Sequence, residues 1–156
     1  MVAEIERTLR DTGLEGRFLR IEITESMLME NHTAVTRILG DLKALGCELH
    51  MDDFGTGYSS LSCLHNFPLD VLKIDREFVS NVSSDPDYAA VVRAIMTLAH
   101  SLRMRVTAEG LETPHQVALV RSLGCNYGQG YIFAKPLEPA QAWELLSQGK
   151  LERRSA

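Results

Sequence analysis

Short apolar strands alternate with amphipathic helical stretches five times along this 156-residue chain, and no hairpin signal joins any two of the strands. Antiparallel neighbours can be linked by a tight turn, whereas parallel neighbours need a crossover, usually a helix. The repeated order therefore predicts an α/β chain with a parallel sheet. FLRIEI alternates apolar with polar and marks a first strand at Phe18–Ile23. Four more follow at Glu48–Met51, Val71–Ile74, Arg105–Ala108 and about Asn126–Ile132. Val35, Ile38, Leu39, Leu42 and Leu45 keep helical spacing over about Thr33–Leu45. Val91, Val92, Ile95, Met96, Ala99 and Leu102 form a second helical face, and Val117, Val120 and Leu123 a third. Ala140–Leu146 reads as a last short helix. Asn81–Tyr88 is the most loop-like interior stretch, and residues 151–156 read as a frayed tail. Two architectures share this order, an open doubly wound sheet and part of a β/α barrel.

Charge narrows the partners. Sixteen basic against 21 acidic side chains give a net charge of −5, which argues against a nucleic-acid polymer. Cys47, Cys63 and Cys125 are an odd, widely spaced set with no C-x-x-C, so neither a disulfide framework nor a zinc site is expected. Reduced thiols imply a cytoplasmic location. The five histidines show no metal-binding spacing and read as core or surface residues. No apolar run is long enough to cross a bilayer, so no membrane contact is expected from this segment, and any tether of a parent protein would reside in other domains.

The acidic residues cluster where the strand pattern breaks. Glu22, Asp52 with Asp53, Lys73 with Asp75, Glu109 with Glu112, and Gln129 each sit at or just past the C-terminal end of an expected strand. In parallel α/β folds those ends share one rim, where ligands bind. Turn and cap chemistry accounts for some of these residues on local grounds, Thr56 and Ser59 among them. Carboxylates gathered this closely, however, raise one another's pKa or are neutralised by cations. An all-oxygen donor set suits a hard divalent ion, Mg²⁺ or Mn²⁺. Two such ions could activate a water against a phosphodiester, with Lys73 adding positive charge and Glu109 serving as a general base.

Five stretches, RIEITES (20–26), MDDFGTGYSSL (51–61), LKIDREFV (72–79), AEGLET (108–113) and GQGYIFAKPL (128–137), together resemble the EAL family. Its active members are bacterial phosphodiesterases that linearise cyclic di-GMP. The resemblance implies a partial TIM-type β/α barrel of about five strand-helix units, with a metal-dependent site at its C-terminal mouth. By matching motif, Glu22 and Asp52 resemble ligands of a first metal and Asp53 a ligand of a second. Glu25 resembles the acid that steadies the DDFGTG loop. Lys73 and Glu109 match the family's catalytic lysine and glutamate, and Asp75, Glu112 and Gln129 its site-supporting residues. Residues 1–12 resemble the helix before the RIEITES strand.

The Glu-Ala-Leu signature itself and an asparagine ligand are absent from this sequence. A complete barrel has eight strands in roughly 250 residues. Residues 1–150 are thus expected to form the C-terminal, larger part of an EAL domain, with open β edges and an exposed apolar interior. In the intact domain the resemblance implies metal-dependent hydrolysis of cyclic di-GMP to pGpG, using Mg²⁺ or Mn²⁺. For the chain alone it implies weak or no activity. The alternative is a catalytically incompetent module that acts as a nucleotide receptor or a partner-binding domain. A homodimer through the segment after DDFGTG is the expected assembly, and Tyr58, Leu61, Leu64, Phe67 and Pro68 are read as core or contact residues.

Overall fold

The computed structural model describes residues 1–30, 32–55, 64 and 66–147, with the side chains at 25, 29, 30 and 32 outside that description. Its elements run in chain order as α1 (Val2–Thr12), β1 (Arg20–Thr24), α2 (Glu25–Glu30), α3 (His32–Ala44), β2 (Glu48–Phe54), β3 (Val71–Ile74), α4 (Arg76–Asn81), α5 (Pro86–Ser101), β4 (Arg105–Ala108), α6 (Pro114–Ser122), β5 (Tyr127–Gly128) and α7 (Pro139–Ser147). All strand pairs are parallel, and the sheet order is β1-β2-β3-β4-β5. Spatial order that follows chain order without reversal separates the two architectures. Right-handed crossovers then put the helices that join successive strands on the same side of the sheet, as in a barrel wall. A doubly wound sheet would reverse its order and cover both faces.

The two faces differ in chemistry because side chains alternate along each strand. Ile21, Ile23, Leu49, Met51, Leu72, Ile74, Val106 and Ala108 form the helix-covered face, and all but Ile21 are buried. Leu28, Leu39, Leu42, Val79, Val92, Ile95, Met96, Ala99 and Val120 pack onto it from the helices. The opposite face carries Arg20, Glu22, Glu48, His50, Asp52, Lys73, Arg105 and Thr107, alternating with the apolar set. The expected exposed apolar interior is therefore corrected: across β1–β4 this face is mainly polar and ion-paired, and Val71, its one apolar side chain, is fully buried.

Other expectations shift locally. The first strand starts at Arg20, because Phe18 and Leu19 donate to Glu15 and Gly16 and close a short 3₁₀ turn at Gly16–Phe18. The second runs on to Phe54. The stretch directly after β1 is a helix beginning at Glu25. The fifth strand is two residues long. Leu111 N–H donates to Gln129 O and Ile132 N–H to Leu111 O, so the chain folds back onto the loop after β4 and leaves the sheet. Val91 is 41% exposed, since adjacent positions on a helix diverge and only Val92 faces inward. Leu64 and Phe67 are buried as expected. Cys63, Thr56, Tyr58, Ser59, Ser60, Leu61 and the tail at 151–156 lie outside the described residues. Cys47 and Cys125 are free thiols. No helix among the described residues is long and apolar enough to cross a membrane.

Asp70 fixes the sheet at its N-terminal end. Its carboxylate takes both Lys43 Nζ (2.7 Å to each oxygen) and the Leu49 amide (2.8 Å). Its own backbone pairs with Leu49 O and the Arg105 amide, so one residue sets β2, β3 and β4 in register beneath α3. Removing the carboxylate would leave a partly buried amide and ammonium without acceptors. Asp70→Ala is expected to cost about 2 kcal/mol in urea unfolding, and Asp70→Asn less, because it still offers the Leu49 amide an oxygen.

Candidate active site

Lys73 sits on the central strand and is 5% exposed. Its ammonium lies 2.7 Å from Glu22 Oε1, 2.9 Å from Asp52 Oδ1 and 2.8 Å from Glu109 Oε1. The register explains the meeting. β1 and β2 pair Thr24 with Asp52, β3 and β4 pair Ile74 with Ala108, and the Glu109 amide continues that ladder by donating to Ile74 O at 3.1 Å. Four strand ends thus deliver their charges to one rim.

Burial alone would pull the Lys73 pKa down, but the hydrogen bonds that it donates to Glu109, Glu22 and Asp52 and the charge of Glu109 outweigh it. The net shift is upward from the ordinary lysine value of 10.5. Glu109 is raised above the ordinary carboxylate value, first by burial and further by the charges of Asp52 and Glu22, against the opposing pull of Lys73. Lys73 is therefore a permanent cation, and Glu109 is the carboxylate of this cluster that holds a proton more readily than usual.

Asp52 and Asp53 would point to opposite faces in a regular strand. They do not here, because the β2–β3 register slips between Met51 and Phe54 and Asp53 adopts φ 54°. A break of this kind re-aims a side chain at the cost of local strain. Carboxylate oxygens of Asp52, Asp53 and Glu109 then lie within 4.8 Å of one another, a spacing that one cation can bridge. Glu22 instead shares the Lys73 ammonium and is not part of that bridging set. One ammonium facing four carboxylates leaves the rim strongly negative. Oxygen-only donors of this charge fit a hard divalent ion.

The remaining expected residues occupy the margins. Asp75 caps α4 by accepting from the Glu77 amide at 2.7 Å. Glu112 is exposed, with Oε1 3.5 Å from Arg76 Nη2. Gln129 is exposed and contributes its backbone to the loop after β4. The side chain of Glu25 lies outside the described residues. A second polar layer below Lys73 is new. Glu48 Oε1 accepts from Arg105 (2.9 Å), and its Oε2 lies 3.2 Å from His50 Nε2 and 3.5 Å from Arg20 Nε. Arg105 also donates to the Tyr127 hydroxyl. Burial raises the Glu48 pKa, but the bonds from Arg105 and His50 and the charges of Arg105 and Arg20 more than reverse it. Only the alternation of charge along ELHMD, Glu48 and His50 leading to Asp52, could have pointed to this layer.

Residues 1–136 match the family model described as EAL domain. The chain is 42% identical over 146 residues to the cyclic di-GMP phosphodiesterase NbdA of Pseudomonas aeruginosa, covering 94% of this chain and 19% of that protein. The solved PaMucR phosphodiesterase, in complex with c-di-GMP, superposes with a TM-score of 0.86 at 40% identity, covering 90% of this chain and 57% of that one. Klebsiella pneumoniae BlrP1, solved as a manganese/cy-diGMP complex, gives a TM-score of 0.80 at 32% identity, covering 86% and 34%.

Removing the central ammonium should be costly, because it leaves three carboxylates facing one another without a counter-charge. Lys73→Met is expected to lose about 3–5 kcal/mol in urea unfolding without divalent ions, and millimolar Mn²⁺ should restore part of it. Since the folded-state Lys73 pKa is raised, its contribution is fully present below pH 10.5 and is lost as pH rises further. The gap between wild type and variant should accordingly stay flat from neutral pH up to that value and narrow above it, and narrow again in acid as Glu109 takes up its proton.

Proposed function

This chain belongs to the EAL domain family, and from that premise we propose that its rim is the catalytic part of a metal-dependent phosphodiesterase site that opens cyclic di-GMP to the linear dinucleotide. The chain spans about a fifth of NbdA, so the reading concerns the part such a site plays in a larger protein. The observation that carries it is the Lys73 ammonium held among Glu22, Asp52 and Glu109 beside the re-aimed Asp53. A bare anion-binding pocket would not gather four carboxylates. A site for divalent ions and a phosphodiester would.

Asp52 and Asp53, with Glu22 at the margin, would hold Mg²⁺ or Mn²⁺, two ions in the intact domain. Such ions supply charge to the phosphate oxygens and lower the pKa of bound water. The residues do the rest. Lys73, protonated at every ordinary pH, directs a positive charge at the phosphate and the incoming oxygen. Glu109 Oε1 is engaged by Lys73, so Oε2 is the oxygen that would take the proton from the attacking water. Its raised pKa suits that work, because a base functions best when its pKa approaches the working pH. Asp75, Glu112, Gln129 and Glu25 would support the loops around this centre. Pairing with a second copy through the segment after DDFGTG (52–57), and a cytoplasmic location, belong to the same proposal.

Glu22 lies on edge strand β1 with its side chain 53% exposed, so its grip on an ion is loose in the chain as it stands. Incubation with cyclic di-GMP and Mn²⁺, followed by chromatography of the linear product, tests the reading. Little turnover is expected from the 156-residue chain, and clear turnover from a longer version that completes the EAL domain. In the latter, Lys73→Ala and Glu109→Gln should each lower the rate by about 10²- to 10⁴-fold. Turnover by both variants at the wild-type rate would remove these residues from the reaction.

A further inference from the structure

The helix α4 follows Lys73 by three residues and touches both loops that carry the other site carboxylates. Gly55, two residues beyond Asp53, has φ 102°, and a Cβ placed on it would lie 2.8 Å from Cε2 and 3.0 Å from Cζ of Phe78. Gly110, directly after Glu109, has φ 69°. A Cβ there would run into Arg76, 2.8 Å from its Cβ and 3.0 Å from its Cδ. At each position the missing side chain lets an α4 residue lie directly on the backbone. The helix is itself anchored from behind. Asp75 caps it, Val79 is buried, and the Phe78 ring meets that of Tyr88 on α5 at 5.9 Å between centroids.

We infer that Phe78 and Arg76 are positioning residues: α4 is a brace between the two loops, and its contacts on Gly55 and Gly110 set the separation of the Asp52–Asp53 pair from Glu109. The need for a brace is visible in the backbone. Asp53 sits in a left-handed conformation that a non-glycine residue adopts only when its surroundings hold it there, and the Phe78 ring under Gly55 supplies a wall. Arg76 acts through its stem. Its guanidinium is 3.5 Å from Glu112 with both side chains largely in solvent, an ion pair worth little. The inference rests on the reading of the rim as a divalent-ion site and adds what holds that site in shape.

The test is the binding of Mn²⁺ to the full 156-residue chain without nucleotide, read from the electron paramagnetic resonance signal of the free ion. Circular dichroism on each variant reports folding. Phe78→Ala and Arg76→Ala should each weaken Mn²⁺ binding by about 10- to 100-fold, the usual effect of losing a group that orients metal ligands. Phe78→Leu keeps the bulk and Arg76→Met keeps the stem without the charge, so both should bind close to wild type. If Phe78→Ala does not fold, the contrast between Arg76→Met and Arg76→Ala decides alone. The brace is overturned if the alanine variants bind as wild type does, or if Arg76→Met loses as much as Arg76→Ala, which would make the charge the active feature. Wild-type chain that takes up no Mn²⁺ would instead bring down the metal reading, and the brace with it.

Discussion

A single buried ammonium organises the working end of this fold. Lys73 projects from the central strand and is the only group among the described residues that contacts carboxylates from β1, from β2 and from the end of β4. Without it, Glu22, Asp52 and Glu109 would repel one another across the rim with no counter-charge between them. With it, all three meet one cation within 3 Å, and the carboxylates of the rim still outnumber it. On the proposed reading the site would take a cation of higher charge, with the lysine beside it as a fixed positive group.

That arrangement depends on the topology. Strands in chain order with same-handed crossovers place all the helices outside and leave the inner face free of apolar cover. The inner face is filled by layers of charge. Glu48, clamped by Arg105, Arg20 and His50, forms the lower layer, and Lys73 with its three partners the upper one. Each lower-layer residue shares a strand with an upper-layer residue, so the floor holds the strands at the spacing the upper cluster needs. Buried ionic layers of this kind are poor sources of net stability compared with apolar packing. Their presence is better explained by function than by folding.

Where the sequence was easy to read, the signal was local. Val71–Ile74 and Arg105–Ala108 are strands as expected because short β-branched runs flanked by polar residues have few alternatives. The acidic strand ends stood out for the same reason. What escaped notice required partners far apart in the chain. Arg105 and Glu48 are separated by 57 positions, so nothing local marks them as a pair. GQGYIFA has the composition of a strand, yet Gln129 O and the Ile132 amide both bond to Leu111, and only the fold shows that partner. α4 is six residues long, too short for a helical period to show, and the roles of Phe78 and Arg76 went unseen with it. The adjacency of Asp52 and Asp53 was visible, but its cause was not. It took the register slip and the positive φ at Asp53 to bring both carboxylates to Glu109.

The central claim is that the carboxylates gathered by Lys73 form a site for divalent ions. The most direct measurement is anomalous diffraction from crystals of the chain soaked in Mn²⁺. The account predicts a manganese peak at about 2.0–2.6 Å from oxygens of Asp52 and Asp53, with Glu109 and Lys73 beside it. A map with no peak on this rim, or with manganese bound only elsewhere while Lys73 bridges Glu22, Asp52 and Glu109 unchanged, would contradict it.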